Sequence, residues 1–414
     1  MKVWILQTGE PLQIDEFGIR PMRAINLSNI LAEQGHEVVV WTSDFNHFTK
    51  SHRYGKFTSI KYSNNLSFKL IYSSGYKSNQ GIKRLIDHAQ LGFNLYRQIR
   101  KEELPDIAFI GYPPIETAWL MNSYLRRRDT PTIIDVKDAW PETLLRAIPS
   151  RIKLIGKLLL LPYFLMMKKT LQSASAISAP TEEFLDWCLS QANRIKSELD
   201  LVLPLTSPDL KFTSGEIEKA SHWLKSQGIK IDGSIKVTFI GTLNSAFDFN
   251  PVIYAAKSLP YQFIIAGDGP NFESIKNATT NLKNVYMLGW IDACTVNELS
   301  KISTVMFAPL HDLDDFKMSI PNKFYDYMRL GKPVLTSISG ITGKLIQTYN
   351  IGEEYSSSNI STFAEKLEKI CSDPKLIEVM SENSRSLYQN EYNFNRVYGQ
   401  LVLRLAQLIE KNKV

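Results

Sequence analysis

The feature that most constrains the fold is an alternation of buried strands with helical segments, which occurs twice along the chain. In the first half, "KVWIL" (2–6) and "EVVVW" (37–41) are continuous apolar runs, which are typical of parallel strands buried on both faces. A helical pattern from about Pro21 to Gln34 separates them. The pattern restarts with "IKVTFIG" (235–241) and "YQFIIAG" (261–267). This alternation predicts an α/β fold with a doubly wound parallel sheet in each half.

The length of 414 residues suits two domains better than one ordinary core. We place the hinge near Leu201–Pro208, which gives domains of residues 1–205 and 206–391. The last helix, at about residues 392–414, either stays with the second domain or packs back on the first. Two domains of this kind are expected to face a cleft at the carboxyl ends of their strands, where ligands bind.

The composition, 44% apolar and 22% charged with a net charge of +6, is that of a globular protein and excludes a disordered or fibrous chain. Cys188, Cys294 and Cys371 are far apart and match neither a disulfide framework nor a zinc pattern, so we expect buried thiols. The amino terminus reads as a strand, not as a signal peptide, and no stretch is long enough to span a bilayer. The sequence therefore predicts a cytoplasmic protein.

The stretch "SIPNKFYDYMRLGKPVLTS" (319–337) predicts a short helix that begins near Pro321 and stops at Gly331. A helix start binds phosphate well, and Asn322 and Lys323 add a donor and a charge there. Asp326, one turn further on, suits a pair of hydroxyl groups such as those of a ribose. The alternative is a surface helix whose polar face is only solvated.

Two Gly-rich turns also end predicted strands of the second half. They contain Gly241 and Thr242 in "FIGTL", and Gly267 and Gly269 in "AGDGP". Glycine lets the backbone approach a ligand closely. Each turn alone is a weak signal, but the three features together favour a nucleotide site.

These segments also resemble a known family. In order and spacing, "IGTLN", "AGDGP", "NVYMLGWID" and "IPNKFYDYMRLGKPVLTS" resemble the carboxyl-terminal domain of glycosyltransferase family 4. The amino-terminal "TGEPL", "LAEQGHEVVVWTSDF", "DVKDAWPE" and "SAPTEEF" resemble the members that build bacterial O-antigens and capsules. The resemblance implies the GT-B fold, with two Rossmann-like domains, and retention of anomeric configuration.

The resemblance also implies roles for individual residues. Trp290 and Ile291 would lie against the base, Asp326 would bind ribose, and the loop at Gly9 would close on the diphosphate. The full set that it assigns to the nucleotide sugar, together with the glycine turns, is Gly9, Trp290, Ile291, Ser319, Ile320, Pro321, Asn322, Lys323 and Asp326.

Two departures from the family pattern concern the leaving group. Many members carry Glu-x7-Glu, whereas this chain has Met318 and Asp326 at those positions. Members also often have Arg and Lys after the "G-x-L" turn, whereas this chain reads "GTLNSAFDF" (241–249). Lys323 is then the candidate cation for the diphosphate, with Arg20 or Arg23 as additional candidates.

The implied reaction needs no protein nucleophile, because the acceptor attacks the face that the diphosphate leaves. Asp138 and Glu10 follow strands of the first domain, and either is a candidate to orient the acceptor hydroxyl or act as base. The alternatives are that Asp138 caps a helix and that Glu10 is a solvated loop residue. Asp312 and Asp314 form an Asp-x-Asp motif. Such motifs bind a divalent metal in a glycosyltransferase fold different from the one predicted here, so we expect neither a metal nor another cofactor.

A basic and apolar stretch runs from Arg146 to Thr170, with six cations and no acid. Its apolar middle is too short to span a bilayer, but its cations suit an anionic leaflet. The cations we assign to membrane association are Arg151, Lys153, Lys157, Lys168 and Lys169. The alternative is a buried helix pair broken at Pro162. Nucleic acid is not favoured, because basic and aromatic residues are not interleaved.

The sequence thus predicts a retaining glycosyltransferase, peripheral on the inner face of a bacterial membrane, that acts in surface polysaccharide synthesis. The donor is a nucleotide sugar, with UDP favoured, that carries a hexosyl or N-acetylhexosaminyl group. The acceptor is a saccharide linked to polyprenyl diphosphate. Two rivals stay open: a UDP-sugar 2-epimerase of the same fold, and a catalytically silent nucleotide-sugar-binding subunit.

Overall fold

The structure, a computed structural model, describes residues 1–15, 20–78, 81–146 and 148–413, without the side chains of Asp314, Asp315 and Lys413. The chain divides into two compact units. The first unit comprises residues 1–15, Pro21–Pro204 and the residues from Val397 onward. The second unit comprises Arg20 and Leu205–Arg396.

The first unit is built on a doubly wound sheet. Its strands, β1 to β10 in chain order, are Lys2–Leu6, Glu37–Ser43, Phe45–Asn46, Ser51–His52, Thr58–Lys61, Leu66–Ile71, Ile107–Tyr112, Thr132–Val136, Ala176–Ala179 and Leu201–Val202. The main sheet has the order β10-β9-β8-β7-β1-β2-β6-β5, and β3 pairs with β4 separately. All neighbours in the main sheet are parallel except β5, which pairs antiparallel with β6.

Helices connect these strands. In chain order, α1 to α7 are Arg23–Glu33, Ile82–Ile99, Ile115–Arg126, Glu142–Arg146, Lys153–Leu159, Leu161–Ser173 and Glu182–Ala192. The strands bury Val, Ile, Trp and Phe side chains almost completely; Trp4 and Trp41, on adjacent strands, meet edge to face with ring centroids 5.1 Å apart. Such double-sided burial explains why these strands read as continuous apolar runs in the sequence.

The second unit has a simpler sheet. Its strands, β11 to β16, are Lys236–Ile240, Gln262–Ala266, Val285–Gly289, Val305–Ala308, Val334–Thr336 and Gly352–Glu354. All are parallel, in the order β13-β12-β11-β14-β15-β16. Numbered within the unit, this order is 3-2-1-4-5-6, the order of dinucleotide-binding sheets. The strand order therefore reverses between β11 and β14.

Some helices of the second unit begin at side-chain caps. In chain order, α8 to α17 are Ser214–Ser226, Asn250–Ser258, Phe272–Thr279, Ala293–Ile302, Asp314–Lys317, Asn322–Arg329, Gly340–Tyr349, Ser361–Cys371, Pro374–Leu387 and Phe394–Lys413. Thr213 and Glu216 form a capping box at α8, and Asp373 caps α16. These side chains satisfy backbone N–H groups that a helix start leaves without partners. From Val397 onward, α17 belongs to the first unit.

The predicted elements agree with the structure apart from their ends. The α/β class and both parallel sheets are confirmed. The predicted helix from Pro21 begins at Arg23, and Pro321 precedes α13 as its N-cap instead of occupying its first turn. The three cysteines are buried and unpaired, as predicted.

The basic and apolar stretch forms two short helices, α5 and α6, that meet at Leu160. Pro162 lies in the first turn of α6, where its missing N–H costs no hydrogen bond. Most of the apolar side chains here are exposed, including Leu154, Leu158 and Leu159 at 75%, 66% and 75%. The alternative of a buried helix pair is therefore not supported, although the break near Pro162 is present.

Two glycines let the loops after β11 and β12 touch through their backbones. A Cβ atom on Gly267 would lie 1.9 Å from the carbonyl oxygen of Gly241, and one on Gly269 would lie 2.4 Å from that of Leu243. Both glycines also have positive φ, at 139° and 150°. Packing between two loops, and not only access for a ligand, thus requires glycine at these positions.

Replacing Gly267 tests this contact. We expect Gly267→Ala to lower the free energy of unfolding by about 2–4 kcal/mol, because Cβ must displace backbone atoms and φ is unfavourable. Gly215→Ala is the matched control, because Gly215 lies in α8 and its added Cβ meets nothing within 4 Å. That control should be neutral or stabilising by up to about 1 kcal/mol. Urea unfolding of both variants measures the difference, and equal stabilities would contradict the contact.

Candidate functional site

The point where the strand order reverses, between β11 and β14, positions the candidate site of the second unit. In doubly wound sheets, ligands bind at the carboxyl ends of the strands at such a point. Gly241 follows β11 directly, and Lys323, in the first turn of α13, reaches this position. A Cβ atom on Gly241 would lie 2.8 Å from the Lys323 Nζ atom. Glycine at 241 therefore leaves room for the lysine amine.

Two phenylalanines enclose the Lys323 amine. Its Nζ atom lies 4.0 Å from the ring centroid of Phe239 and 4.1 Å from that of Phe247. A cation over an aromatic face is attracted by the ring electrons. The Nζ atom is buried and makes no hydrogen bond to any residue that the structure describes.

This enclosure changes the protonation of Lys323. Burial lowers the pKa of its amine to about 7, because a low-dielectric surrounding disfavours the charged form. An anion near the amine would stabilise the charged form and raise the pKa again. Lys323 is thus a buried donor with unused hydrogen-bonding capacity at a helix start.

Asn322 adds to this capacity at the same helix start. Its Oδ1 atom is buried and accepts no hydrogen bond within the described part of the chain. The Lys323 amine and the NH2 group of the Asn322 amide are donors suited to a phosphoryl group beside the first turn of α13, whereas the Asn322 Oδ1 atom can only accept. The structure therefore brings Gly241 and Lys323 together, with Asn322 next to Lys323 in the first turn of α13.

Asp326 has partners of its own in the second unit. Its Oδ2 atom accepts a hydrogen bond from Arg20 Nε at 2.9 Å, and its Oδ1 atom accepts one from Ser207 Oγ at 2.9 Å. The carboxylate is about a quarter exposed, and two carboxylate oxygens have about four acceptor sites in total. Arg20 Nη2 also donates to Oδ1, at 3.3 Å, so Asp326 retains about one acceptor site for a ligand hydroxyl. Arg20, a candidate cation for the diphosphate, binds Asp326 instead.

The other predicted donor residues lie in different surroundings. Gly9 is exposed after β1 in the first unit. In the second unit, Thr242 is exposed, whereas Ile320 is 3% exposed and packs in the core, which disfavours contact with a ligand. The Ser319 carbonyl accepts a hydrogen bond from Thr342 Oγ1 at 3.2 Å.

Trp290 and Ile291 line an open groove of about 830 Å³ together with α8. The Trp290 side chain is 64% exposed, and Gly289, just before it, accepts a hydrogen bond from the Gly267 N–H at 2.7 Å. The groove-lining residues do not include Gly241 or any residue of α13. Trp290 is thus accessible next to the glycine turns, in a groove separate from the Lys323 amine.

In the first unit, the two candidate catalytic acids lie in different surroundings. Glu10 is buried; its carboxylate pairs with Lys137 and accepts a hydrogen bond from the Ala24 N–H at 2.9 Å. Both of its oxygens have partners, which disfavours Glu10 as a base and excludes the solvated-loop alternative. Asp138 has an exposed surface after β8 and does not cap α4, which begins at Glu142.

Asp138 and Arg23 complete the set of predicted residues. Desolvation raises the pKa of the Asp138 carboxyl, although the charges of Lys137 and Arg84 oppose this. Arg23, a candidate cation, is 3% exposed and pairs with the buried Asp135 at 3.3 Å. Its guanidinium group also donates to the Leu203 carbonyl at 2.9 Å. Arg23 is therefore a structural residue, and its prediction as a diphosphate ligand is not favoured.

Sequence reasoning missed the aromatic enclosure of Lys323. Phe247 belongs to "GTLNSAFDF", the segment where the family pattern has Arg and Lys. The phenylalanines of this segment were the only sequence signal for an aromatic enclosure. The loop is held in place by backbone hydrogen bonds, from Asp248 N to Pro309 O at 2.7 Å and from His311 N to Ala246 O at 2.9 Å.

Metal-binding candidates are few. Asp312 accepts a hydrogen bond from Ser339 Oγ at 2.8 Å and pairs with Lys317 at 3.4 Å; the side chain of Asp314 lies outside the described residues. No group of three or more His, Cys, Asp or Glu with metal-binding geometry occurs in residues 1–15, 20–78, 81–146 and 148–413.

A comparison with protein families found a match within the second unit. Residues 223–387 match the family model described as glycosyl transferases group 1. This range contains Gly241, Lys323 and Asp326, and the match supports a glycosyltransferase. No curated protein sequence matches the chain significantly.

Solved structures extend the comparison to the whole chain. A sucrose-phosphate synthase from Thermosynechococcus elongatus is 13% identical with a TM-score of 0.72, covering 99% of each chain. Anabaena HepE in complex with UDP is 14% identical with a TM-score of 0.68, covering 98% of this chain and 100% of that one. WaaG, a glycosyltransferase involved in lipopolysaccharide biosynthesis, is 14% identical with a TM-score of 0.64, covering 97% of this chain and 98% of that one.

A UDP-GlcNAc 2-epimerase from Neisseria meningitidis is also similar, at 15% identity and a TM-score of 0.57, covering 98% of this chain and 100% of that one. Identities this low show the fold alone. That fold is GT-B with two Rossmann-like domains, as the sequence predicted.

The pKa of Lys323 predicts a pH-dependent stability. Between pH 7 and 10 the unfolded chain binds a proton at Lys323 that the folded chain largely lacks. Stability should therefore rise with pH in this range, by up to about 1.4 kcal/mol per unit. The near-isosteric Lys323→Met variant should lack this contribution. Urea unfolding of both proteins across the range measures it; identical slopes would show that the amine is not desolvated.

Proposed function

We propose that this protein is a retaining glycosyltransferase that binds a nucleotide sugar in its second unit. The observation that carries the proposal is the buried Lys323 amine, which lacks a hydrogen-bond partner among the described residues and lies beside Gly241 at the start of α13. A buried donor of this kind suits a phosphoryl group. The family match over residues 223–387 supports the same role.

The reaction transfers a sugar from a diphosphate to a hydroxyl group. The bond between the sugar's anomeric carbon and the β-phosphate oxygen breaks, and a bond from the acceptor oxygen to that carbon forms on the same face. The acceptor proton passes to an oxygen of the departing diphosphate. Lys323, once protonated, and the α13 amino terminus stabilise the charge that develops on the diphosphate.

Asp326 and Trp290 then bind the nucleoside. Asp326 accepts a hydrogen bond from a ribose hydroxyl while Arg20 and Ser207 hold the carboxylate in place. Trp290 and Ile291 contact the base, for which we favour uracil. Support for UDP comes from Anabaena HepE, whose structure contains it. Asp138, exposed after β8, is the candidate to orient the acceptor hydroxyl.

The acceptor is proposed to be a saccharide on a polyprenyl diphosphate at the inner face of the membrane. The support is the exposed surface of α5 and α6, where apolar side chains such as Leu154 and Leu158 alternate with cations. The exposed cations of this lipid surface are Arg151, Lys153, Lys157, Lys168 and Lys169. Opposite charge and apolar insertion together favour an anionic leaflet. In the described part of the chain no helix could cross a membrane.

The two rival functions predict different products. An epimerase isomerises a soluble UDP-sugar and has no use for the lipid surface of α5 and α6. A silent subunit binds a nucleotide sugar and forms no product, which Met318 and the absent Arg and Lys would permit. Incubation of a labelled UDP-sugar with membrane lipid separates the three, as transfer, isomerisation or neither.

Asp326→Ala tests the donor site. We expect UDP to bind the wild type, more tightly than GDP, and the variant to bind UDP about thirtyfold more weakly, because hydrogen bonds to a carboxylate contribute about 2 kcal/mol. Calorimetric titration of both nucleotides measures the affinities.

A control variant isolates the carboxylate. Asp209→Ala removes an ion pair to Arg329 on the same helix, at 2.7 Å. It should bind UDP nearly as the wild type does. UDP binding that is indifferent to Asp326 would contradict the site.

The lipid surface is tested with vesicles. We expect wild type to bind vesicles that contain phosphatidylglycerol and not vesicles of phosphatidylcholine alone. A Lys153→Gln/Lys157→Gln variant should bind roughly thirtyfold more weakly, from about 1 kcal/mol per cation. Co-sedimentation measures this. The matched control is Lys225→Gln/Lys375→Gln, which neutralises two exposed helical lysines of the second unit. Equal losses in both double variants would refute a specific lipid surface.

A further inference from the structure

A second group of reactive side chains lies in the first unit, outside the residues assigned so far. Its members come from the loops after β3, β6 and β8 and from the first turns of α2. They are His47, Lys50, Tyr76, Arg84, His88 and Trp140, here called the Tyr76 cluster. Loops at the carboxyl ends of parallel strands are where ligands bind in such sheets.

Aromatic rings hold two cations of the cluster. Lys50 Nζ lies 4.8 Å from the Tyr76 ring centroid, and Arg84 Cζ lies 5.6 Å from it. The guanidinium group is also 4.9 Å from the ring of Trp140. These cation–π contacts fix both positive charges around one tyrosine. The Tyr76 hydroxyl is 2.6 Å from His47 Nδ1, which holds the ring in turn.

The histidines of the cluster have lowered pKa values. Burial, with the charges of Lys50 and Arg84, lowers the pKa of His47 to about 4. Burial, with the charges of Arg84 and His47, lowers that of His88 to about 3. Burial also lowers the pKa of Lys50, and the charge of Arg84 adds to this effect. Burial is thus the main reason that protonation of these three side chains is disfavoured, and the neighbouring cations add to it.

Three carboxyl groups face the same charges. Asp87 is buried and accepts a hydrogen bond from the Gly75 N–H at 2.6 Å. Desolvation raises the pKa of Glu116 and of Asp138, and the charge of Arg84 opposes this in both. The surroundings of the two cations therefore include acidic as well as aromatic side chains.

A chain of contacts connects the cluster to the lipid surface of α5 and α6. Tyr163, on α6, donates a hydrogen bond from its hydroxyl to Glu116 Oε1 at 2.9 Å. Glu116 Oε2 lies 4.0 Å from His88 Nδ1, and both atoms are buried without a hydrogen-bond partner among the described residues. The His88 ring lies 6.2 Å from that of Tyr76. The cluster is therefore only a few side chains away from a helix that exposes apolar residues.

We propose that the Tyr76 cluster binds the phosphoryl groups of a lipid-linked acceptor, with Lys50 and Arg84 as the cations that contact them. The identification of the ligand as an acceptor rests on the function proposed above. Arg84 presents a planar fork of donors that suits phosphate oxygens, and Lys50 adds a second charge. The aromatic rings set the spacing of the two cations in advance of binding, which lowers the cost of ordering them.

The test uses the full chain in a Lys323→Met background, which removes the donor-site cation. Farnesyl diphosphate, inorganic pyrophosphate and farnesol are titrated calorimetrically. We expect farnesyl diphosphate to bind and farnesol not to bind. Lys50→Gln and Arg84→Gln should each weaken binding by about tenfold or more. Arg97→Gln is the matched control, because Arg97 also lies on α2 with its Cζ 5.9 Å from the ring centroid of Phe93. It should bind as the parent does.

An independent readout separates ligand contact from a structural role. The pKa of His47, followed by NMR of its imidazole, should rise from about 4 by roughly one unit or more when farnesyl diphosphate binds. Arg84→Lys should recover part of the affinity that Arg84→Gln loses, since it restores the charge. If Lys50 and Arg84 had only a structural role, saturating farnesyl diphosphate would still raise the pKa of His47 in the Lys50→Gln and Arg84→Gln variants.

Several results would overturn the proposal. Pyrophosphate binding as tight as that of farnesyl diphosphate would assign the site to a free phosphate. The cluster would be excluded as the site if both glutamine variants bound farnesyl diphosphate as tightly as the parent, or if Arg97→Gln lost as much affinity as they do. It would also be excluded if the parent did not bind farnesyl diphosphate at all. Failure of the donor site is distinguishable, because UDP binding and its dependence on Asp326 are measured separately and without these probes.

Discussion

The contact between the loops that follow β11 and β12 is the constraint on which the ligand-facing edge of the second unit depends. Gly267 lies against the Gly241 carbonyl with no space for a side chain, and Leu243 exchanges backbone hydrogen bonds with Asp268 and Asn271 at 2.9 and 3.0 Å. The first loop continues directly to Phe247, one of the two rings around Lys323. Backbone packing at the glycines therefore determines where the lysine amine can lie.

The first unit uses a different arrangement, in which buried polar groups connect distant surfaces. Tyr163, Glu116 and His88 join an exposed apolar helix to a cluster of aromatic and cationic side chains. Hydrogen bonds and close charges in a poorly hydrated interior are strong, and unmet ones are costly. Such a series of residues ties the position of the cluster to that of α6.

The sequence predicted what short-range patterns determine. Both sheets, the helix that begins after Pro321 and the buried cysteines follow from periodicity, proline and glycine. Partners distant along the chain were not predictable: Arg20 and Asp326 are 306 residues apart, and nothing local indicates that they pair. Burial of Glu10 and Arg23 has the same origin, because each charge is compensated by a residue far away in sequence. The exposure of α5 and α6 also depends on tertiary packing, since an apolar run alone does not show which side it faces.

The resting state of Lys323 has a consequence for proton balance. With a pKa of about 7, much of the amine is neutral in mildly alkaline solution, whereas a bound diphosphate would favour the ammonium form. Loading the site would then draw a proton from solvent, and emptying it would return that proton. Each catalytic turnover would thereby exchange a proton with the medium at a residue that forms no covalent bond with either substrate.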